Sequence, residues 1–372
     1  ITFSEYIQHY RKLITQVRAE NGVPDLEKII NGNAPFELRP AEGFSAGKNK
    51  TYRRGILLTH GLSDSPYFMR HLAAFFQANG FLVMVVLLPG HGTQPGDLLN
   101  VSWHEWASTV NYGVEQLDKE VDEVYLGGFS AGGALSLYQS LLDQRVRGLF
   151  LFAPALSISP KAALANIHKL YSWLTPSAKW LQIHSDKDIY KYESFPNNAA
   201  AQIYALTRVL KRQLAKQEIR IPVFAVVSQD DATVDTAATI AFMQHAPNAS
   251  NKFVYYYSDP KKIPGGFEKD KIEYVNSVLC DQRISSSAHT AIVVPGEDEY
   301  YGEQGKYSNC LHYYPHDIVK YQACLNQVEN VISGEITKKN LELGTLRRLM
   351  YNPHFSSLKS AMQQFVDNLP CL

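Results

Sequence analysis

Apolar residues along this chain fall into two alternating rhythms. Short unbroken runs, "GILLTHGL" (Gly55 to Leu62), "FLVMVVLL" (Phe81 to Leu88), "EVYLGG", "RGLFLFAP", "IPVFAVVS" (Ile221 to Ser228) and "NKFVYYYS" (Asn251 to Ser258), are bounded by turn residues. Runs of this length without polar alternation predict strands buried on both faces, as in a parallel sheet. Between them the period changes. After Pro66, the residues Phe68, Leu72, Phe75 and Phe76 recur at helical spacing until Gly80 stops them. Further helices are predicted from Trp103 to about Glu120, from Ala131 to about Leu142 and after Asp235. Strand and helix in alternation define an α/β fold, a mainly parallel central sheet flanked by helices.

The rhythm breaks after Pro154. "NIHKLYSWLTPSAKWLQIH" and "FPNNAAAQIYALTRVLKR" predict helices with no apolar strand between them, so residues 156–219 form a helical cap inserted into a core of residues 46–155 and 220–372. Leu170, Tyr171, Trp173, Leu174, Trp180 and Leu181 make this cap apolar and aromatic, with Trp173 and Trp180 as candidate substrate contacts. Packing of the cap onto the core is the simpler account of most of the group. Residues 1–45 form an N-terminal helical extension, and "SSLKSAMQQFVDNL" (Ser356 to Leu369) predicts a closing helix. One stripe of the extension carries Phe3, Tyr6, Ile7, Tyr10, Leu13, Ile14 and Val17. It suits packing onto the core better than a membrane surface, because its polar face is not notably basic.

Composition narrows the partners. Among 372 residues, Lys plus Arg and Asp plus Glu both number 36, so no global field draws the chain to nucleic acid or to anionic lipid. Its most apolar run is far shorter than the roughly 20 residues that span a bilayer. Cys280, Cys310, Cys324 and Cys371 form an even set without CxxC spacing, which predicts disulfides and export to a periplasmic or extracellular compartment; four reduced, buried thiols in a cytoplasmic protein are the alternative. Residue 1 is Ile and no leader precedes it, so a targeting peptide is expected to have been removed or left out.

The chemistry concentrates in "EVYLGGFSAGGALSLYQSLL" (Glu123 to Leu142), where an apolar strand turns directly into a helix and Ser130 stands in G-x-S-x-G. Small neighbours allow a sharp turn that lifts the serine oxygen above the sheet. The following amide, that of Ala131, opens a helix, where unpaired N–H groups and the dipole favour an oxyanion. A second donor is expected from the Leu62 amide in "THGLSDS", where Gly61 permits close approach and His60 holds the loop. A phosphate loop is disfavoured because "GGFSAGG" lacks the Gly-Lys-Ser/Thr ending.

With these motifs in view, the chain resembles an α/β-hydrolase of the carboxylesterase, monoacylglycerol lipase and lysophospholipase branch. "HGLSDS" is similar to its oxyanion loop, "PGHG" (Pro89 to Gly92) to the loop after the next strand, "GFSAGG" to its nucleophile elbow and "IPVFAVVSQDD" to its acid strand. The resemblance implies a serine, aspartate and histidine in that chain order, with a helical cap after the sixth strand. "SQDDATVD" then puts Asp231 in the acid position, with Asp230 as the competitor, while Asp235 is better explained as a helix N-cap. The base must follow the acid. His289 in "SSSAHTAIVV" resembles the family's catalytic loop, whereas His245 ends a helix. About 30 residues before His289 and about 80 after it exceed the family pattern.

The reaction so implied is hydrolysis of small-molecule or lipid esters through an acyl-enzyme on Ser130. A thioesterase, peptidase or acyltransferase on the same residues, or a non-catalytic binding protein, are the alternatives. No cofactor and no metal are expected, since an activated serine needs neither. His312 and His316 are four apart, but Pro315 belongs in a first helical turn and removes the shared face.

Overall fold

Strands without a polar face need cover on both sides, and this requirement shapes the chain. In the computed structural model, which describes residues 1–20, 22, 25–41, 47–158, 179–326 and 331–370, the protein divides into two units, Ile1–Ile221 and Pro222–Leu372.

The first unit is built on β1 (Phe36–Leu38), β2 (Tyr52–Thr59), β3 (Phe81–Val86), β4 (Val121–Phe129) and β5 (Val146–Phe152), in the spatial order β1-β3-β2-β4-β5. Every pair is parallel except β1 with β3. Ile56, Leu57 and Leu58 of β2 and all of β3 are buried, as unbroken apolar runs require. The crossovers are α3 (Arg70–Ala78), α4 (Trp103–Asp118) and α5 (Ala131–Leu142). A capping box starts α4: the Ser102 hydroxyl accepts the His104 amide, and the Glu105 carboxylate accepts the Ser102 amide at 2.8 Å.

The N-terminal stretch contains α1 (Phe3–Glu20) and α2 (Leu26–Asn33), but it is not wholly helical, because Phe36–Leu38 supply the antiparallel edge strand β1. Three residues are too few to show a period. The apolar stripe of α1 turns inward. Phe3, Tyr6 and Ile14 are buried, Ile14 packs with Ile30, Ala34 and Leu87, and the Tyr6 hydroxyl donates to the Leu87 carbonyl at 2.8 Å.

In the cap region the first predicted helix needs correction at its end. Trp180–Gln182 form a strand, β6, antiparallel to β7 (Phe195–Pro196), because a short apolar run carries no period that separates strand from helix. The second helix, α6 (Asn197–Leu214), is present, and Trp173 lies outside the described residues.

In the second unit, β8 (Val223–Ser228), β9 (Lys252–Tyr257) and β10 (Ile272–Asn276) are parallel, with α7 (Thr236–His245) after β8. Beyond His289 come α8 (Ile318–Asn326), the parallel pair β11 (Val331–Gly334) and β12 (Thr345–Arg348) around α9 (Lys338–Leu341), and the closing helix α10 (Phe355–Asp367). Cys310 and Cys324 form a disulfide. Cys280, expected to be paired, is an exposed free thiol, and Cys371 lies outside the described residues. Among the described residues no helix is long and apolar enough to cross a membrane.

Candidate active site

Ser130 stands between β4 and α5 at φ 54° and ψ −115°, a region that side-chain-bearing residues rarely occupy and that costs about 1 to 3 kcal/mol. Backbone bonds hold it there. The Ser130 amide donates to the Phe152 carbonyl at 2.9 Å, and the Ser130 carbonyl accepts the amides of Ala134 at 3.1 Å and Ala155 at 3.0 Å. The flanking glycines answer a packing demand. A Cβ on Gly132 would collide with the Thr59 carbonyl oxygen and lie 2.6 Å from that of His60, and one on Gly128 would lie 2.5 Å from the Gly133 nitrogen. Side chains are stripped from this turn because the start of α5 presses against the end of β2. Ala131 is the first residue of α5, so its amide has no helical carbonyl to bond.

The Leu62 loop lies in the same unit, in the turn closed by the Asp64 amide donating to the Gly61 carbonyl at 3.2 Å. Among the described residues the Leu62 amide has no acceptor. Two buried imidazoles stand behind this loop. His60 Nε2 accepts the Leu88 amide at 3.1 Å and its Nδ1 donates to the Gly61 carbonyl at 2.8 Å. His91 Nε2 accepts the Ser63 amide at 3.0 Å and its Nδ1 donates to the Pro89 carbonyl at 3.1 Å. Burial, reinforced by the neighbouring His91, holds His60 well below the ordinary imidazole range. Burial likewise lowers His91, to about 4, against the opposing effect of its carbonyl bonds.

A strap that the sequence did not reveal also holds this loop. Lys191 pairs with the buried Asp64 carboxylate and donates to the Ser63 hydroxyl at 3.0 Å. The Tyr192 amide donates to the Ser63 carbonyl at 2.8 Å, and its hydroxyl accepts the Thr93 amide at 2.8 Å and donates to the Gly90 carbonyl at 3.1 Å. Their polar character gave no signal, because a Lys and a Tyr in a loop match no period or motif. Of the two candidate substrate contacts, Trp180 is half-buried on β6.

The second unit brings Asp231 and His289 together. Asp231 Oδ2 accepts from His289 Nδ1 at 2.6 Å, and Asp231 Oδ1 accepts the amides of Thr233 at 2.8 Å and Val234 at 2.9 Å. Burial pushes the Asp231 carboxyl up, but the charge of the His289 ring, its hydrogen bond and the two amides hold it below the ordinary carboxylate range. Its neighbour points elsewhere. Asp230 Oδ1 accepts the Ser258 hydroxyl at 2.9 Å, and burial raises its carboxyl against that bond. Asp235 caps α7 by accepting the Ala237 amide at 3.1 Å. His245 lies in the last turn of α7, and His312 and His316 both precede α8.

The alternating parallel sheet, the strand-turn-helix serine and the Asp-His pair define a class, the α/β-hydrolases. The Hydrolase_4 family model, described as serine aminopeptidase, S33, matches residues 50–258, and the chain belongs to this family. It is 29% identical over 181 residues to the thermostable monoacylglycerol lipase of Bacillus sp. (strain H-257), covering 48% of this chain and 71% of that protein. A solved structure from work on LipS and LipT, two metagenome-derived lipolytic enzymes, has a TM-score of 0.50 at 22% identity, covering 60% of this chain and 87% of that one. The chain is thus a lipase- and esterase-like α/β-hydrolase with a mostly parallel sheet.

Proposed function

We propose that the protein hydrolyses carboxylic esters through an acyl-enzyme on Ser130. His289 takes the Ser130 hydroxyl proton as the oxygen attacks the acyl carbonyl, and Asp231 fixes the ring tautomer and stabilises the imidazolium. The amides of Leu62 and Ala131 carry the oxyanion. His289 returns the proton to the leaving alkoxide, and water then attacks the acyl carbonyl and releases the acid. The observation that carries this reading is the conformation of Ser130. A serine that served only as a helix cap needs no φ of 54°, and its side chain makes no capping bond.

Lipid esters of the monoacylglycerol kind are the substrates we favour, because the monoacylglycerol lipase of Bacillus sp. is a relative over most of its own length. The family's description as a serine aminopeptidase supports a second reading, amide cleavage by the same residues. Rates on p-nitrophenyl esters of graded chain length, on monoacylglycerol and on aminoacyl p-nitroanilides separate the two. Ester turnover should dominate, and Ser130→Ala should remove it by a factor on the order of 10⁶ in kcat with the fold intact. Faster anilide than ester cleavage would replace the lipase reading, and a folded, active Ser130→Ala protein would end both.

A further inference from the structure

We propose that Glu335 and Arg348, from the long segment after His289, are positioning residues for the Asp231–His289 pair. The inference rests on the reading of that pair as acid and base. Glu335 follows β11 directly and Arg348 ends β12, and the parallel register of these strands sets Gly334 opposite Arg348. The Glu335 side chain is completely buried, and Arg348 approaches it with Nε at 2.7 Å and Nη2 at 3.1 Å. A buried carboxylate persists only when such partners offset its desolvation.

This carboxylate also reaches the active-site loops. Its Oε2 accepts the backbone amide of His289 at 2.8 Å, and the Ala232 amide stands 3.5 Å from the same oxygen. Its Oε1 accepts the Ile336 amide at 2.8 Å. Arg348 Nη2 donates to the Thr233 hydroxyl at 2.8 Å, and Thr233 is the residue whose amide donates to Asp231 Oδ1. The contacts close a ring: Asp231 to Thr233, Thr233 to Arg348, Arg348 to Glu335, Glu335 to the His289 backbone, and the His289 ring back to Asp231.

The approach to His289 is fastened by the same segment. The Ser285 amide donates to the Ser333 carbonyl at 2.8 Å, and the Ser333 amide to the Arg283 carbonyl at 2.9 Å. The Glu335 amide and the Asn340 side chain both donate to the Ser286 hydroxyl, at 3.0 and 2.9 Å. On the other flank, the Thr290 hydroxyl donates to the Leu349 carbonyl at 2.7 Å. His289, Glu335 and Arg348 all lie beyond the residues 50–258 that the family model matches. The added segment thus supplies an outer brace for the acid and the base.

The test compares wild type, Glu335→Gln and Arg348→Lys, following the downfield proton resonance of the Asp231–His289 hydrogen bond, assigned by its absence in His289→Ala, beside Tm, kcat and KM on a p-nitrophenyl ester. Glu335→Gln leaves one acceptor oxygen where two served, and turns an NH2 towards donors. Its resonance should shift or broaden, and kcat should fall roughly 10- to 100-fold with KM nearly unchanged, as for a base misplaced by up to about 1 Å. Arg348→Lys keeps a cation beside Glu335 but loses the planar fork that bonds both Glu335 oxygens and Thr233 together, so a loss of roughly 3- to 10-fold is expected, again in kcat. Folded variants with the wild-type resonance and kcat, or a lowered Tm with the resonance unmoved, would overturn the inference. If Glu335→Gln does not fold, Arg348→Lys decides. The resonance is read without substrate, so a wild type that fails to cleave esters would count against the hydrolase reading while the comparison still decides this one.

Discussion

Acid should weaken the protein through His91, and the amount follows from its contacts. Its Nδ1 already donates to the Pro89 carbonyl and its Nε2 accepts the Ser63 amide, so a second proton would land on an atom that faces a donor. Burial lowers the ring from 6.5 to about 4. The unfolded chain therefore binds this proton as pH falls through 6.5, while the folded chain does not until about 4. Stability is complete above that window, declines by about 1.4 kcal/mol per pH unit within it and levels below it, a total of about 3 kcal/mol from this side chain. His60 is lowered in the same sense, and so are His312 and His354, so wild type alone cannot isolate the effect. His91→Gln can still accept the Ser63 amide but does not titrate. Urea unfolding of both proteins at about pH 7, 6 and 5 should give a constant offset plus a slope between about pH 6 and 5 that is shallower in the variant by about 1.4 kcal/mol per unit. Equal slopes would refute the reasoning, because they would mean that His91 titrates alike in both states.

The two adjacent aspartates should separate in kinetics: Asp231→Asn should lower kcat by up to about 10⁴ through the wrong imidazole tautomer with little change in Tm, whereas Asp230→Asn removes only a charge, keeps an oxygen that can accept the Ser258 hydroxyl, and should cost far less. Comparable losses on a short-chain p-nitrophenyl ester would show that the loop shares the acid role. Gly132→Ala forces a Cβ onto the Thr59 carbonyl, and since the obstacle is backbone rather than a flexible side chain, a loss of about 3 kcal/mol or more is expected in urea unfolding. A loss under about 1 kcal/mol would mean that α5 does not sit this tightly on β2.

What the sequence revealed, and what it hid, divides by how local the cause is. The elbow was legible because its determinants are consecutive: an apolar run, then glycines and alanines too small to resist a sharp turn, then a helical period. Asp235 was legible for the same reason, as the N-cap directly before a helical period, whereas Asp231 was placed through a resemblance. His289 was singled out through a resemblance and not through periodicity, as its loop of small residues has none. Cys280 misled because parity says nothing about where the sulfurs lie.

The brace around His289 marks where sequence reading stops, and the reason is physical. Glu335 lies 46 residues from the amide it accepts, and Arg348 lies 115 from the hydroxyl it reaches. An apolar stripe repeats because many residues share one buried face, so its period survives in the sequence. A polar contact between loops is made once, by two residues, and leaves no repeat. A buried Glu and a solvent-facing Glu are therefore spelled alike, and only the fold distinguishes them. The consequence reaches the long tail after His289, which looked like unexplained excess beside compact relatives. Its short parallel strands β11 and β12 bury little, yet they deliver one carboxylate and one guanidinium to the loops of Asp231 and His289. Small sheets of this kind are suited to placement, because pairing in fixed register positions the residues at both strand ends together. If Arg348→Lys leaves the Asp231–His289 resonance untouched, the tail stabilises the fold and does nothing for the site. If the resonance moves, the excess length of this chain is part of its catalytic apparatus.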